Sequence, residues 1–96
     1  MIEINNNLKA GYLREFLRIR EAVNSVDPIG LINGGAPVDE YDPEVRDILI
    51  VIPNAKTQQE LAEMIYKVFV KWFGNDTTGP IVLYNQIASR IFTNPT

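Results

Sequence analysis

The chain has 96 residues, enough for one hydrophobic core but too few for two, so a single domain over 1–96 is expected. Hydrophobic residues make up 46 % and charged residues 22 %, a balance that supports autonomous folding and excludes the disordered class. Twelve acidic against nine basic residues leave a net charge of −3, the wrong sign for attracting a phosphate backbone, so a protein partner with basic character is expected rather than nucleic acid.

The chain contains neither cysteine nor histidine. That removes disulfides, thiolate nucleophiles, thiolate and imidazole metal ligands and the commonest general base, so no enzymatic activity, metal or cofactor is expected. The longest apolar run, Ile48 to Pro53, falls well short of the roughly 18 residues a bilayer span requires. Residues 1–7 lack the basic start and long apolar centre of a secretory signal, which points to the cytoplasm.

In chain order, residues 1–7 are expected to fray. From Tyr12 to Val26 apolar residues recur every three or four positions (Tyr12, Phe16, Ile19, Val23, Val26), with Leu13 and Leu17 widening the stripe. This predicts a helix with one buried face. Arg14, Glu15, Arg18 and Glu21 form its wet side, and Glu15 is spaced for a weak ion pair with Arg18. Asp27-Pro28 ends the helix, because proline disfavours helical geometry in its predecessor. The segment Asp27 to Tyr41 reads as a loop punctuated by Pro28, Gly30, Gly34, Gly35 and Pro37, yet Ile29, Leu31 and Ile32 should seat it on the core. These glycines match neither the Walker nor the dinucleotide phosphate-loop pattern.

A second helix is expected from Asp42, with that carboxylate as cap, Pro43 in the first turn and Glu44 favourable to the helix dipole. Val45, Ile48, Leu49 and Ile52 follow at helical spacing, although the run from Ile48 to Ile52 is β-branched enough to fit a short buried strand. Pro53-Asn54 stops this element. Thr57-Gln58-Gln59-Glu60 has capping-box spacing and opens a third helix that should run to Phe73, with Gly74 as its stop. Leu61, Ile65, Val68, Phe69 and Trp72 form its main stripe, which assigns Trp72 to the core. Tyr66, Val70 and Phe73 add a second strip, so this helix should touch two neighbours. After a polar turn at 75–78, Gly79-Pro80 introduces a final helix with Tyr84, Ile87, Ala88 and Ile91 inward, and residues 94–96 should fray. The fold class is all-α, about four helices around one core with an ordered Gly/Pro loop between the first two.

The segment Asp39-Glu40-Tyr41-Asp42-Pro43-Glu44 packs four carboxylates around one aromatic. One reading is structural: Asp42 caps, Glu44 meets the helix dipole, Asp39 and Glu40 are solvated, and Tyr41 covers the helix entrance. A second makes Asp39, Glu40, Tyr41, Asp42 and Glu44 a partner-binding surface, with Tyr41 as an aromatic anchor among carboxylates. A third, metal or acid–base carboxylates, lacks the alternating ligands and central glycine of a calcium loop.

Four segments occur in order: Asp27-Pro28-Ile29-Gly30-Leu31; Gly35-Ala36-Pro37-Val38-Asp39-Glu40-Tyr41-Asp42-Pro43-Glu44-Val45; Glu60-Leu61-Ala62-Glu63; and Trp72-Phe73-Gly74. Together they resemble the small bacterial domain-of-unknown-function family numbered eighteen seventy-one. The resemblance spans Val23 to Gly74 and implies a small helical cytoplasmic protein, with no activity and no functional residues to transfer. Val26 stands where the family pattern usually carries a tryptophan, so that ring's packing role must be filled otherwise.

Small size, acidic balance and lack of catalytic groups suit a non-catalytic protein-binding module, most concretely an immunity protein that covers the active site of a basic, nuclease-type toxin. The alternative is a helical adaptor or self-associating protein of phage or housekeeping origin, with a second copy of the chain as its partner.

Overall fold

The computed structural model describes residues 2–92, with side chains described from Gly11 onward; the expectation for 94–96 lies outside this range. Four α-helices run in the order α1 (Ile2–Val26), α2 (Asp42–Val51), α3 (Gln58–Thr78) and α4 (Ile81–Phe92), with a 3₁₀ turn at Ile52–Asn54. The helices form a closed ring: α1 packs on α2 and α4, and α3 packs on the same two, most extensively on α4. No strand occurs among the described residues.

α1 begins at Ile2. Its inward residues are Phe16, Ile19, Ala22 and Val23, with Val26 packed against them. Tyr12 (52 % exposed), Leu13 (54 %) and Leu17 (45 %) do not join this stripe. Leu13 and Leu17, one turn apart, lie on a side of α1 roughly 100° or more around from the Phe16–Ile19–Val23 face, where no other helix covers them. Tyr12 touches Phe16, ring centres 6.1 Å apart, one turn before the first buried residue of that face.

Asp27 ends α1 in a left-handed conformation (φ 54°), with its N–H bonded to Val23 O at 2.7 Å. Turn hydrogen bonds then order the loop, including Gly30 N to Asp27 O and Gly34 N to Gly30 O, both 3.0 Å, and Ala36 N to Leu31 O, 2.9 Å. Ile29, Leu31 and Ile32 seat it on the core.

The ambiguous run 48–52 is helical through Val51. Ile48 is fully buried while Ile50 is 71 % exposed, a rotation that a strand's alternation would not produce. At the start of α3, Thr57 Oγ1 accepts the Glu60 N–H at 3.0 Å, but the Glu60 carboxylate reaches back to Lys56 N (2.8 Å) rather than to Thr57, one residue beyond the expected capping box. Leu61, Ala62, Ile65, Val68 and Phe69 face inward. Trp72 does not, and its core assignment is corrected: at this turn Phe73 takes the inward place, stacked on Phe69 with centroids 5.7 Å apart, and the indole is displaced to the rim, 47 % exposed.

Gly74 breaks α3 with φ 84° and ψ 162°, a region open to glycine alone, and 75–78 then form one more helical turn instead of an irregular one. That turn is held from inside, since Tyr84 Oη donates to Thr78 O and Thr78 Oγ1 donates to Gly74 O, both at 2.6 Å. The centre of the core is aromatic: Phe69 lies 5.9 Å from Tyr41 and 5.2 Å from Tyr84, ring centre to ring centre.

Two glycine substitutions should act in opposite directions in thermal or urea unfolding. Gly74→Ala forces a side chain into that conformation and should cost about 1–3 kcal/mol. Gly11→Ala, at a helical position with open space around the new methyl group, should gain about 0.5–1 kcal/mol.

Candidate functional site

The five residues singled out around the loop–α2 junction separate into three environments. Asp39 and Glu40 are exposed on the last turn of the loop, where Glu40 N bonds Pro37 O and Asp42 N bonds Asp39 O, each at 3.1 Å. They are the two that a partner can reach directly.

Tyr41 is fully buried, and its reading as an exposed aromatic anchor is corrected. Its hydroxyl donates to Asp27 Oδ1 at 2.6 Å and accepts from Ile29 N (3.1 Å) and Leu31 N (3.4 Å). Asp27 also accepts from Ile32 N (3.0 Å) and Asn33 N (2.9 Å). One phenol and one carboxylate thus satisfy four loop N–H groups, which is why the ring turns inward: buried loop amides need partners that no secondary structure supplies. Burial, reinforced by the bond to Asp27, pushes the Tyr41 hydroxyl up to about 12. For Asp27 burial pulls upward, but the bonds from Tyr41, Asn33 and Ile32 outweigh it and hold the carboxyl below its ordinary range. Near neutrality the pair holds its proton on the phenol and acts as a clasp.

Asp42 does not cap α2, contrary to expectation. The N-cap position falls on Tyr41 with no side-chain cap bond, and Pro43 lies in the first turn. The Asp42 carboxylate instead engages Arg20 of α1 in a two-point contact, Nε to Oδ1 at 3.0 Å and Nη2 to Oδ2 at 2.6 Å. The guanidinium fork offers a directional pair joining two helices, a stronger interaction than one more amide contact at a helix end already held by the loop turn.

Glu44 is also withdrawn from any contact surface, being 3 % exposed, with Oε1 lacking a hydrogen-bond partner. Burial, aided by Asp47, Glu40 and Asp42 and opposed by the bond from its own N–H, pushes its carboxyl up to about 7. Four neighbouring carboxylates thus share one electrostatic field, two of them on the surface. Among the described residues no three Asp or Glu side chains converge as a metal site.

Sequence reading missed the partners of these residues. Asp27 was visible only as a helix stop, and Arg20, 22 positions from Asp42, carries no local signal of its pairing. It also missed the rim contact in which Trp72 Nε1 donates to Asp47 Oδ2 at 2.8 Å.

Compared with protein-family models, characterised proteins and solved structures, the chain finds no match.

Tyr41→Phe should leave loop donors unsatisfied, costing about 1–3 kcal/mol, and amide exchange of Ile29 and Leu31 should accelerate. The pH dependence follows from two opposed shifts. Glu44 has its folded value, about 7, above the unfolded 4.5, so its contribution is whole below pH 4.5 and lost as pH rises through 7. Asp27 is the reverse: its contribution is present above its unfolded value of 3.8 and lost as pH falls through the lowered folded one. Urea unfolding across pH should therefore show maximal stability at about pH 4–5, and Glu44→Gln should gain about 1–3 kcal/mol at pH 8 and little at pH 4.5.

Proposed function

We propose that the protein is a non-catalytic protein-binding module that engages a basic partner through the acidic end of α2. The observation that carries this reading is the exposure of Asp39 and Glu40 on a loop immobilised by the Asp27–Tyr41 clasp, with further carboxylates behind them. A pre-ordered loop loses little conformational freedom on docking, and a concentrated negative field speeds encounter with a positive surface.

The most concrete form of this proposal is an immunity protein that neutralises a basic, nuclease-type toxin by stoichiometric cover. Size, net charge and the clasped acidic loop support it, and the resemblance to family eighteen seventy-one is compatible with it. A cytoplasmic location belongs to the same proposal; among the described residues no helix is long and apolar enough to cross a membrane.

A second reading, self-association, draws on one observation: Tyr12, Leu13 and Leu17 are exposed together on α1. Leu13→Glu with Leu17→Glu should convert a concentration-dependent dimer to monomer in sedimentation if this reading holds.

The leading proposal is tested by affinity capture at low and high salt, then by association kinetics with the captured partner. A single basic partner in equimolar amount is expected, with association slowed about tenfold or more by Asp39→Lys with Glu40→Lys at low ionic strength. The variant should remain folded, because both side chains are exposed. Unchanged association in this variant would overturn the choice of surface.

A further inference from the structure

Between the second half of α2 and the middle of α3 runs a groove of about 390 Å³. Val51 and Met64 are only partly covered by the fold, buried Val68 lies at the floor, and Ile50, 71 % exposed, forms one rim. Lys67 and Lys71, one helical turn apart on α3, form the other rim. The lining is predominantly apolar, with charge only at its margins, in Asp47, Lys67 and Lys71.

Asp47 and Lys71 of the groove lining are held together with Trp72 beside it. Trp72 Nε1 donates to Asp47 Oδ2 at 2.8 Å, Lys71 Nζ approaches the same oxygen at 3.4 Å, and that ammonium lies 6.0 Å from the centre of the indole ring. Trp72 is therefore a half-exposed aromatic fixed in place before any partner arrives, the kind of residue that anchors interfaces. It is placed there because Phe73, and not Trp72, fills the core at this turn.

From this juxtaposition we infer that the α2–α3 groove is a docking site for an acidic amphipathic helix of a partner protein. Apolar side chains of that helix, spaced one turn apart, pack on Ile50, Val51 and Met64, and its flanking carboxylates meet Lys67 and Lys71. The charge decides the class of occupant. Lys67 forms no ion pair among the described residues, and Lys71 is 71 % exposed in a long contact, so both retain most of their charge for a partner. The exposed apolar face of a second copy's α1 carries Arg14 beside Leu13 and Leu17, and its nearest carboxylate, Glu15, is already held by Arg18 at 2.7 Å, so that face offers the lysine rim no spare negative charge. Two lysines on a chain of net charge −3 are too few to hold a nucleic acid. The site is separate from the acidic loop and calls for the opposite charge in its ligand, so the two surfaces can serve two partners or two segments of one.

Trp72 is the sole tryptophan of the chain, which makes its fluorescence a direct reporter. The probes are two synthetic helical peptides, identical in a leucine stripe of one-turn spacing, one flanked by glutamates and the other by lysines. The acidic peptide is expected to bind with a dissociation constant in the micromolar range, of order 1–100 μM, and to shift Trp72 emission and its indole N–H resonance. Lys67→Glu with Lys71→Glu should weaken it at least about tenfold and transfer preference to the basic peptide. Ile50→Glu should abolish binding without unfolding, since that side chain is mostly in solvent. No binding of the acidic peptide up to about 1 mM, equal binding of both peptides, or indifference to these variants would overturn the inference. So would a dimer of the unmodified protein that Ile50→Glu dissociates, because a second copy would then be the occupant. The Asp39→Lys, Glu40→Lys variant should bind the acidic peptide as before, separating this surface from the acidic loop.

Discussion

A single hydrogen bond, from the Tyr41 hydroxyl to Asp27 at 2.6 Å, sits where the end of α1, the glycine-rich loop and the start of α2 converge. Much of the fold leans on it. Asp27 accepts left-handed geometry, costly for a residue with a side chain, because the same backbone turn aims its carboxylate at the loop amides and at the phenol. Tyr41 in turn carries the contact into the core, where its ring meets Phe69, which meets Tyr84 of α4. Polar clasp and aromatic centre are thus consecutive parts of one chain of contacts.

Around this point the acidic residues divide by partner. Asp42 meets an arginine and becomes a tie between helices. Glu44, two positions on, meets no cation among the described residues and is buried with one oxygen unsatisfied, so the fold bears it at a cost that grows as the carboxyl ionises. Asp39 and Glu40 remain in solvent. Four carboxylates adjacent in sequence therefore have three distinct physical roles, set by what the neighbouring helix offers to each.

The helices were legible in the sequence because apolar spacing and end signals are local: Asp27-Pro28, Thr57 with Glu60, Gly74 and Gly79-Pro80 all mark observed boundaries. The run from Ile48 to Ile52, equally compatible with a strand by composition, was decided by the helix start before it. Misreadings arose where a position's fate depends on another helix. Leu13 and Leu17 widen the apolar stripe by spacing, but they fall on a side of α1 that no other helix covers. Trp72 and Phe73 are neighbours with equal claim to the core, and only the placement of Phe69 and Asp47 decides between them. For the candidate site the acidic segment was visible, but the inward turn of Tyr41 was not, since it answers to loop amides 10 and 12 residues away.

The ring of helices has one seam unlike the others. α1 and α2 are joined by the clasped loop from Asp27 to Tyr41, and α3 follows α2 closely, but α1 meets α4 only after nearly the whole chain has been laid down: the Arg18 Nη1 bond to Ile91 O, 2.9 Å, spans 73 residues. Closing that seam carries the largest loop entropy of any contact described here, so it forms late in folding, after the clasped α1–α2 corner and the α3–α4 hairpin exist as separate pieces. By the same token, a chain that has not yet closed this seam leaves the Ile91 carbonyl at the end of α4 without the Arg18 guanidinium that covers it.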